Sequence, residues 1–270
     1  MKFDVAIMQS YSRSGETLLL RTLNAHPRIH AVHDLRKTNS EEELALFEHL
    51  RRTGATAVAA DSKLARHVSL PDGGLLLLKN AVWLSPPVHT RGFVLVRNPF
   101  SVAASAGVIG ESPARRESNR RIIMRWARGI APGFVAALDE LDNLAALLLL
   151  WNVKVTEAMR SGLPVVHYER FVADPQRILR TLIAGLGLPW NDAVLTAHEA
   201  YAPGEKGHGR MPLSAPIHQK SRDSYRDLPD EVFDRIHALV YPTLRLCGYV
   251  IEGRTISIAS DFDDRLTARR

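Results

Sequence analysis

The residues best suited to chemistry are Ser12, Arg13, Ser14, Gly15, Glu16 and Thr17, set between an apolar run, Phe3 to Met8, and the stretch Leu18 to Leu23. A strand, a turn rich in hydroxyls and glycine, and a helix start in that order build an anion cradle. The free backbone N–H groups of the first helical turn point toward one spot, and the helix dipole adds positive potential there. With Arg13 inside the turn, the natural occupant is an anion. The turn is not a Walker A loop, because no lysine stands where Gly-x-x-x-x-Gly-Lys-Ser/Thr requires one. Other polar residues close further apolar runs: Asp34 after Ile29 to Val32, Lys79 after Leu75 to Leu78, Arg97 after Gly92 to Val96, and Tyr168 at the end of Pro164 to Tyr168.

Those runs are short and apolar enough to be buried strands, and helical patterns separate them. Thr17 to Ala25 reads as a helix stopped by His26-Pro27. Ser40, followed by Glu41, Glu42 and Glu43, reads as a capped helix start. Helices are also expected over Phe100 to Val108, Ile122 to Arg128, Val135 to Arg160, from Asp174-Pro175 to Gly185 or Gly187, and from Leu228-Pro229 to Leu246. Short strands alternating with helices predict an α/β fold, a central parallel sheet flanked by helices on both faces. In such sheets ligands sit beyond the carboxyl ends of the strands, where Arg13, Asp34, Lys79, Arg97 and Tyr168 all fall. The pattern predicts one domain over residues 1–253, a loosely attached tail over 254–270, and a mobile loop from Ala202 to Ser221.

Taken with three later segments, the turn resembles the sulfotransferases that use 3′-phosphoadenosine 5′-phosphosulfate, and most closely the tyrosylprotein and bacterial branch. Ser12 to Thr17 with Leu18, Leu19, Arg21, Leu23, Ala25, His26 and Pro27 matches the opening pattern of that family. Val94 to Pro99 followed by Ser101, Val102 and Ser105 resembles its 3′-phosphate motif, and Tyr168 to Val172 with Asp174-Pro175 and Leu186 to Leu188 the next landmark. Ser12 replaces the usual proline and Glu16 the usual threonine. A carboxylate facing a phosphosulfate is repelled, so Glu16 is expected to point away from the anion.

The resemblance implies a P-loop-like sulfotransferase fold and a set of roles. Arg13, Ser14, Gly15, Glu16 and Thr17 form the 5′-phosphosulfate loop, Arg97 and Ser105 hold the 3′-phosphate, and Tyr168 lines the nucleotide pocket. Lys79 stabilises charge on the leaving phosphate. Asp34 stands where tyrosylprotein sulfotransferases carry a glutamate and is the favoured general base; His33 is the rival, because strand alternation turns only one of the two toward the donor. Lys206, Gly207, His208, Gly209 and Arg210 resemble a nucleotide-covering loop, and Lys220 and Ser221 a second phosphate contact. His26 and His30 are read as structural. The co-substrate is 3′-phosphoadenosine 5′-phosphosulfate, the product 3′-phosphoadenosine 5′-phosphate, and the partner an acceptor hydroxyl, with a carbohydrate or small metabolite favoured. Sulfuryl transfer of this type calls for no metal.

Composition sets the outer limits. A net charge of +6 suits an anionic partner, and a nucleotide accounts for it without a nucleic acid. The single cysteine, Cys247, rules out an internal disulfide and a cysteine-built zinc site, and it sits in an apolar pattern as a buried structural residue. With neither a signal-like leader nor an apolar run approaching the ~20 residues of a membrane span, the expected location is cytoplasmic. Two other classes compete. A nucleotide kinase would need the missing lysine and a magnesium-binding aspartate. A non-catalytic anion or nucleic-acid binding module rests on basicity alone and would show steep salt dependence.

Overall fold

The computed structural model describes residues 1–32, 40–84, 91–207 and 211–264. The chain opens with β1 (Lys2–Gln9), α1 (Glu16–Asn24), β2 (Ile29–Val32) and α2 (Glu41–Thr53), followed by β3 (Ala57–Ala59), β4 (Leu75–Asn80), β5 (Gly92–Val96) and α3 (Pro99–Ala106). Next come α4 (Pro113–Ile130), α5 (Val135–Asp139), α6 (Asn143–Arg160), β6 (Val165–His167), α7 (Tyr168–Ala173) and α8 (Pro175–Gly185). The last elements are α9 (Asp230–Leu246), β7 (Tyr249–Glu252) and β8 (Thr255–Ile258).

The main sheet runs β2-β4-β1-β5-β6 with all neighbours parallel, and β3 adds antiparallel to the first residues of β1. Alternation along each strand feeds two apolar layers. Val5 and Ile7 of β1, Leu76 and Leu78 of β4, and Val94 and Val96 of β5 pack with α2, α3, α4, α6 and α9. Ala6, Met8, Leu75, Leu77, Phe93 and Leu95 pack on the other face with α1, α7 and α8. The α/β sheet covered on both faces is therefore as expected. β1 lies between β4 and β5, so the turn after it opens at the middle of the sheet's carboxyl edge.

Helix ends follow their caps. Ser40 accepts from Glu43 N at 3.2 Å, and Asp174 from Arg177 N at 3.2 Å. The continuous helix expected over Val135 to Arg160 is instead two. Asp142 adopts an extended backbone and accepts from Ala145 N at 2.8 Å, which starts α6 afresh. The helix expected at Ile122 begins earlier, at Pro113, because Ser112 caps it and a proline fits its first turn.

Two stretches are better anchored than their composition suggests. Beyond Gly253, β8 pairs with β7, Phe262 packs edge-on against His167 at 5.2 Å, and Val165 N donates to Asp264 O at 2.7 Å. The tail is thus not loose as far as Asp264: this backbone hydrogen bond covers part of the outer edge of β6, which would otherwise be unpaired. Within the loop expected from Ala202 to Ser221, residues 211–221 are held down by buried Arg21 of α1, whose guanidinium donates to Leu213 O and Ala215 O, both at 2.6 Å. Charge-assisted bonds to two carbonyls fix a stretch that has no hydrophobic periodicity of its own.

Candidate active site

The turn after β1 owes its shape to two left-handed residues. Arg13 has φ +75° and is the single non-glycine residue with positive φ among those described, and Gly15 has φ +95°. Gly15 precedes the first helical residue, and no side chain caps α1, so the amides at its start face the cavity beyond the carboxyl edge. A side chain at position 15 would meet the Tyr168 ring, with a Cβ 2.5 Å from Cε2, so glycine is required both by φ and by the close approach of that ring.

The ends of β5 and β6 deliver the other parts. Arg97 follows β5, where Asn98 caps α3 by accepting from Ser101 N at 2.8 Å. Glu169 in turn accepts from Asn98 N at 2.9 Å and from its amide at 2.7 Å, which fixes the β5–α3 corner. Tyr168 follows β6, and the Arg97 guanidinium lies 4.6 Å from its ring centroid. Arg97 also donates to Arg13 O at 3.1 Å and to Ser221 O, and the Tyr168 hydroxyl pairs with Ser221 Oγ at 2.6 Å. Arg13 donates to Ser105 Oγ at 3.1 Å and to Ser105 O at 2.7 Å. Arg13, Gly15, Glu16, Thr17, Arg97, Ser105 and Tyr168 therefore border one cavity of ≈ 200 Å³, roofed by residues between Met211 and Ser221.

Polar capacity near the cavity is left unused. Among the described residues, Arg97 Nε, Ser14 Oγ in the turn and Ser10 Oγ just after β1 are buried without a hydrogen-bond partner, and of these residues Arg97 borders the cavity. Buried donors are costly unless satisfied, and an anion with several acceptor oxygens fits them. Burial lowers the Arg13 pKa, Glu16 opposes that shift, and Arg97 and Arg115 add to it. Arg115 therefore contributes to the positive field from α4.

Glu16 is buried and borders the cavity, and its charge raises the pKa values of Arg13 and Lys79 against the lowering effect of their burial. At the first position of α1 a carboxylate gains from the helix dipole and from both cations. Lys79 pairs in register with Met8, so alternation puts it on the α1 face of the sheet, half-buried and within the field of Glu16. Lys79 does not border the cavity.

Other expected site residues fall elsewhere. Lys206 and Lys220 are exposed and do not border the cavity; Ser221, Met211, Pro212 and His218 do. The Lys220-Ser221 step points the serine inward, a direction that an aperiodic loop does not encode. His33 and Asp34 lie outside the described residues, as do His208, Gly209 and Arg210. His26 is structural, with Nε2 2.8 Å from Pro189 O and Nδ1 accepting from Arg28 N at 3.1 Å. Cys247 is buried in the core, and burial pushes its thiol pKa far up.

A parallel sheet with a polar cavity beyond its carboxyl edge defines the class, and the fold is that of sulfotransferase domains. The chain superimposes on the sulfotransferase domain of the Synechococcus PCC 7002 olefin synthase with a TM-score of 0.52 at 17% identity, covering 90% of this chain and 93% of that one. It matches the sulfotransferase domain of the curacin biosynthetic pathway with a TM-score of 0.53 at 16% identity, covering 89% and 98%. In sequence it is 26% identical over 212 residues to protein-tyrosine sulfotransferase 1 of Danio rerio, over 69% of this chain. The match spans 54% of that relative's length. No family model matches the chain. Sequence and fold thus both resemble the sulfotransferase family. No helix among the described residues is long and apolar enough to cross a membrane.

Proposed function

We propose that the protein is a sulfotransferase that moves a sulfuryl group from 3′-phosphoadenosine 5′-phosphosulfate to an acceptor hydroxyl. The observation that carries this reading is the convergence of Arg13, Arg97, Ser105 and Tyr168 on an uncapped helix start with unsatisfied buried donors. On this reading Arg13, Ser14, Gly15 and Thr17 hold the 5′-phosphosulfate, and Arg97 and Ser105 hold the 3′-phosphate. The bonds that Arg13 makes to Ser105, and Arg97 to Ser221, are exchanged for phosphate oxygens when the nucleotide enters. A cavity of ≈ 200 Å³ is below the range of about 300–1,000 Å³ usual for small-molecule sites, so the 211–221 roof lifts to admit the nucleotide. Closing again, it would exclude water.

The acceptor oxygen attacks sulfur in line as the bond from sulfur to the bridging phosphate oxygen breaks, and 3′-phosphoadenosine 5′-phosphate leaves. The hydroxyl proton passes to a general base, Asp34 with His33 as the rival. Such a base is worth typically 10²–10⁴-fold. Lys79 stabilises charge gathering on the leaving phosphate. Its pKa is lowered chiefly by burial, with Glu16 acting in the opposite direction. The relative's name specifies a protein tyrosine, so tyrosyl peptides join carbohydrates and small metabolites as acceptors to assay.

The test is transfer of label from a ³⁵S donor to that acceptor panel. The wild type should label at least one hydroxylated acceptor. Asp34→Asn and Lys79→Met should each lose about 10²-fold or more in turnover while retaining affinity for 3′-phosphoadenosine 5′-phosphate. Full activity in Asp34→Asn moves the base to His33. An enzyme that binds the nucleotide and labels none of the panel would contradict all three acceptor classes.

A further inference from the structure

Three side chains outside the nucleotide cavity converge from three segments of the chain. His30 is on β2 and, by alternation, shares the sheet face of Val32, which packs in the same layer as Leu46 and Leu50 of α2. Glu43 is in the first turn of α2, held there by the Ser40 cap. His67 lies in the stretch between β3 and β4. His30 Nε2 is 3.3 Å from both carboxylate oxygens of Glu43, and His67 Nε2 is 2.9 Å from Glu43 Oε2. One ligand atom from each residue lies within 4.8 Å of the others.

We propose that His30, Glu43 and His67 form a binding site for a zinc-class divalent cation. Two imidazoles and a carboxylate are a known zinc donor set, with metal–ligand distances of about 2.0–2.2 Å. Tetrahedral placement at those distances puts neighbouring donor atoms about 3.4 Å apart. The two nitrogen-to-oxygen distances to Glu43, 3.3 and 2.9 Å, require small side-chain adjustments to reach that spacing. The side chains are 29, 13 and 22% exposed in the order His30, Glu43, His67, so a water or a further donor has access to the fourth position. Imidazole donors select zinc, cobalt or nickel over magnesium and calcium, which prefer all-oxygen sites.

The consequence is mechanical. β2 ends at Val32 and α2 begins at Glu41, so the cation ties together the two elements that flank residues 33–39 in sequence. That segment carries His33 and Asp34. On the sulfotransferase reading the metal therefore braces the base-bearing segment from both sides and takes no part in sulfuryl transfer. The site itself stands without that reading.

The test uses the full chain after chelator treatment and dialysis, titrated calorimetrically with ZnCl₂. One equivalent should bind with micromolar or tighter affinity, and MgCl₂ should not compete. Thermal stability should rise by about 5 °C at a hundredfold excess over Kd. His67→Ala, remote from the nucleotide cavity, should weaken Zn²⁺ binding at least tenfold, at least halve the thermal shift at the same Zn²⁺ concentration and leave affinity for 3′-phosphoadenosine 5′-phosphate unchanged. Glu43→Gln should weaken Zn²⁺ binding likewise, with circular dichroism confirming that both variants are folded. Absence of saturable Zn²⁺ binding, or binding that both variants leave unchanged, overturns the assignment.

Discussion

Gly15→Ala tests how the cradle is built. The substitution asks an alanine to hold φ +95° and to place its Cβ 2.5 Å from Tyr168 Cε2. Left-handed backbone costs a non-glycine residue about 1–2 kcal/mol, and overpacking a tight contact about 1–3 kcal/mol. The expected loss is therefore about 2–5 kcal/mol, read as a fall of about 4–9 °C in Tm or as a lower urea midpoint. Tyr168→Ala alone should cost about 3–5 kcal/mol, since it removes a buried ring. In the double variant the ring is gone and only the backbone strain remains, so its cost should fall short of the sum by about 1–3 kcal/mol. A double-mutant cycle in urea measures that coupling directly. Additivity within about 0.5 kcal/mol would refute the claim that position 15 and the Tyr168 ring compete for the same space.

Glu16→Thr should tighten binding of 3′-phosphoadenosine 5′-phosphate about tenfold. Charges about 8 Å apart at an effective dielectric constant near 20 interact by about 2 kcal/mol, part of which Arg13 and Lys79 already offset. Unchanged or weaker binding by calorimetry would mean that the carboxylate is needed to order those cations. Arg21→Ala should free the loop roofing the cavity, because both of its 2.6 Å bonds to Leu213 O and Ala215 O disappear. Limited proteolysis should then cut between residues 202 and 221 at least tenfold faster than in the wild type, and equal rates would show that the loop is held by something else.

The sheet was legible because its strands are short apolar runs ending in polar residues, and β1, β2, β4, β5 and β6 fall where those runs are. The turn was legible for the same reason: Gly15 and its neighbours sit at an obvious strand-to-helix step. Tertiary contacts hid the rest. Nothing local in the sequence says that Arg21, in the middle of α1, reaches two carbonyls almost two hundred residues away. Asp142 reads equally well as a surface residue inside one long helix, and only its extended backbone makes it a cap. Repulsion from the anion was the one effect on Glu16 that its sequence position suggested, and the fold adds the attraction of Arg13, Lys79 and the helix dipole. The His30, Glu43 and His67 cluster joins residues with no motif spacing, since the elements between them set the approach.

The most direct test of the central claim is calorimetric titration of the full chain with 3′-phosphoadenosine 5′-phosphate, wild type beside Arg97→Ala. The wild type should show saturable 1:1 binding and the variant a loss of at least about a hundredfold, as expected when a buried charged hydrogen-bonding partner of a phosphate is removed. A wild-type chain that gives no binding heat, or an Arg97→Ala variant that binds as tightly, would contradict that claim.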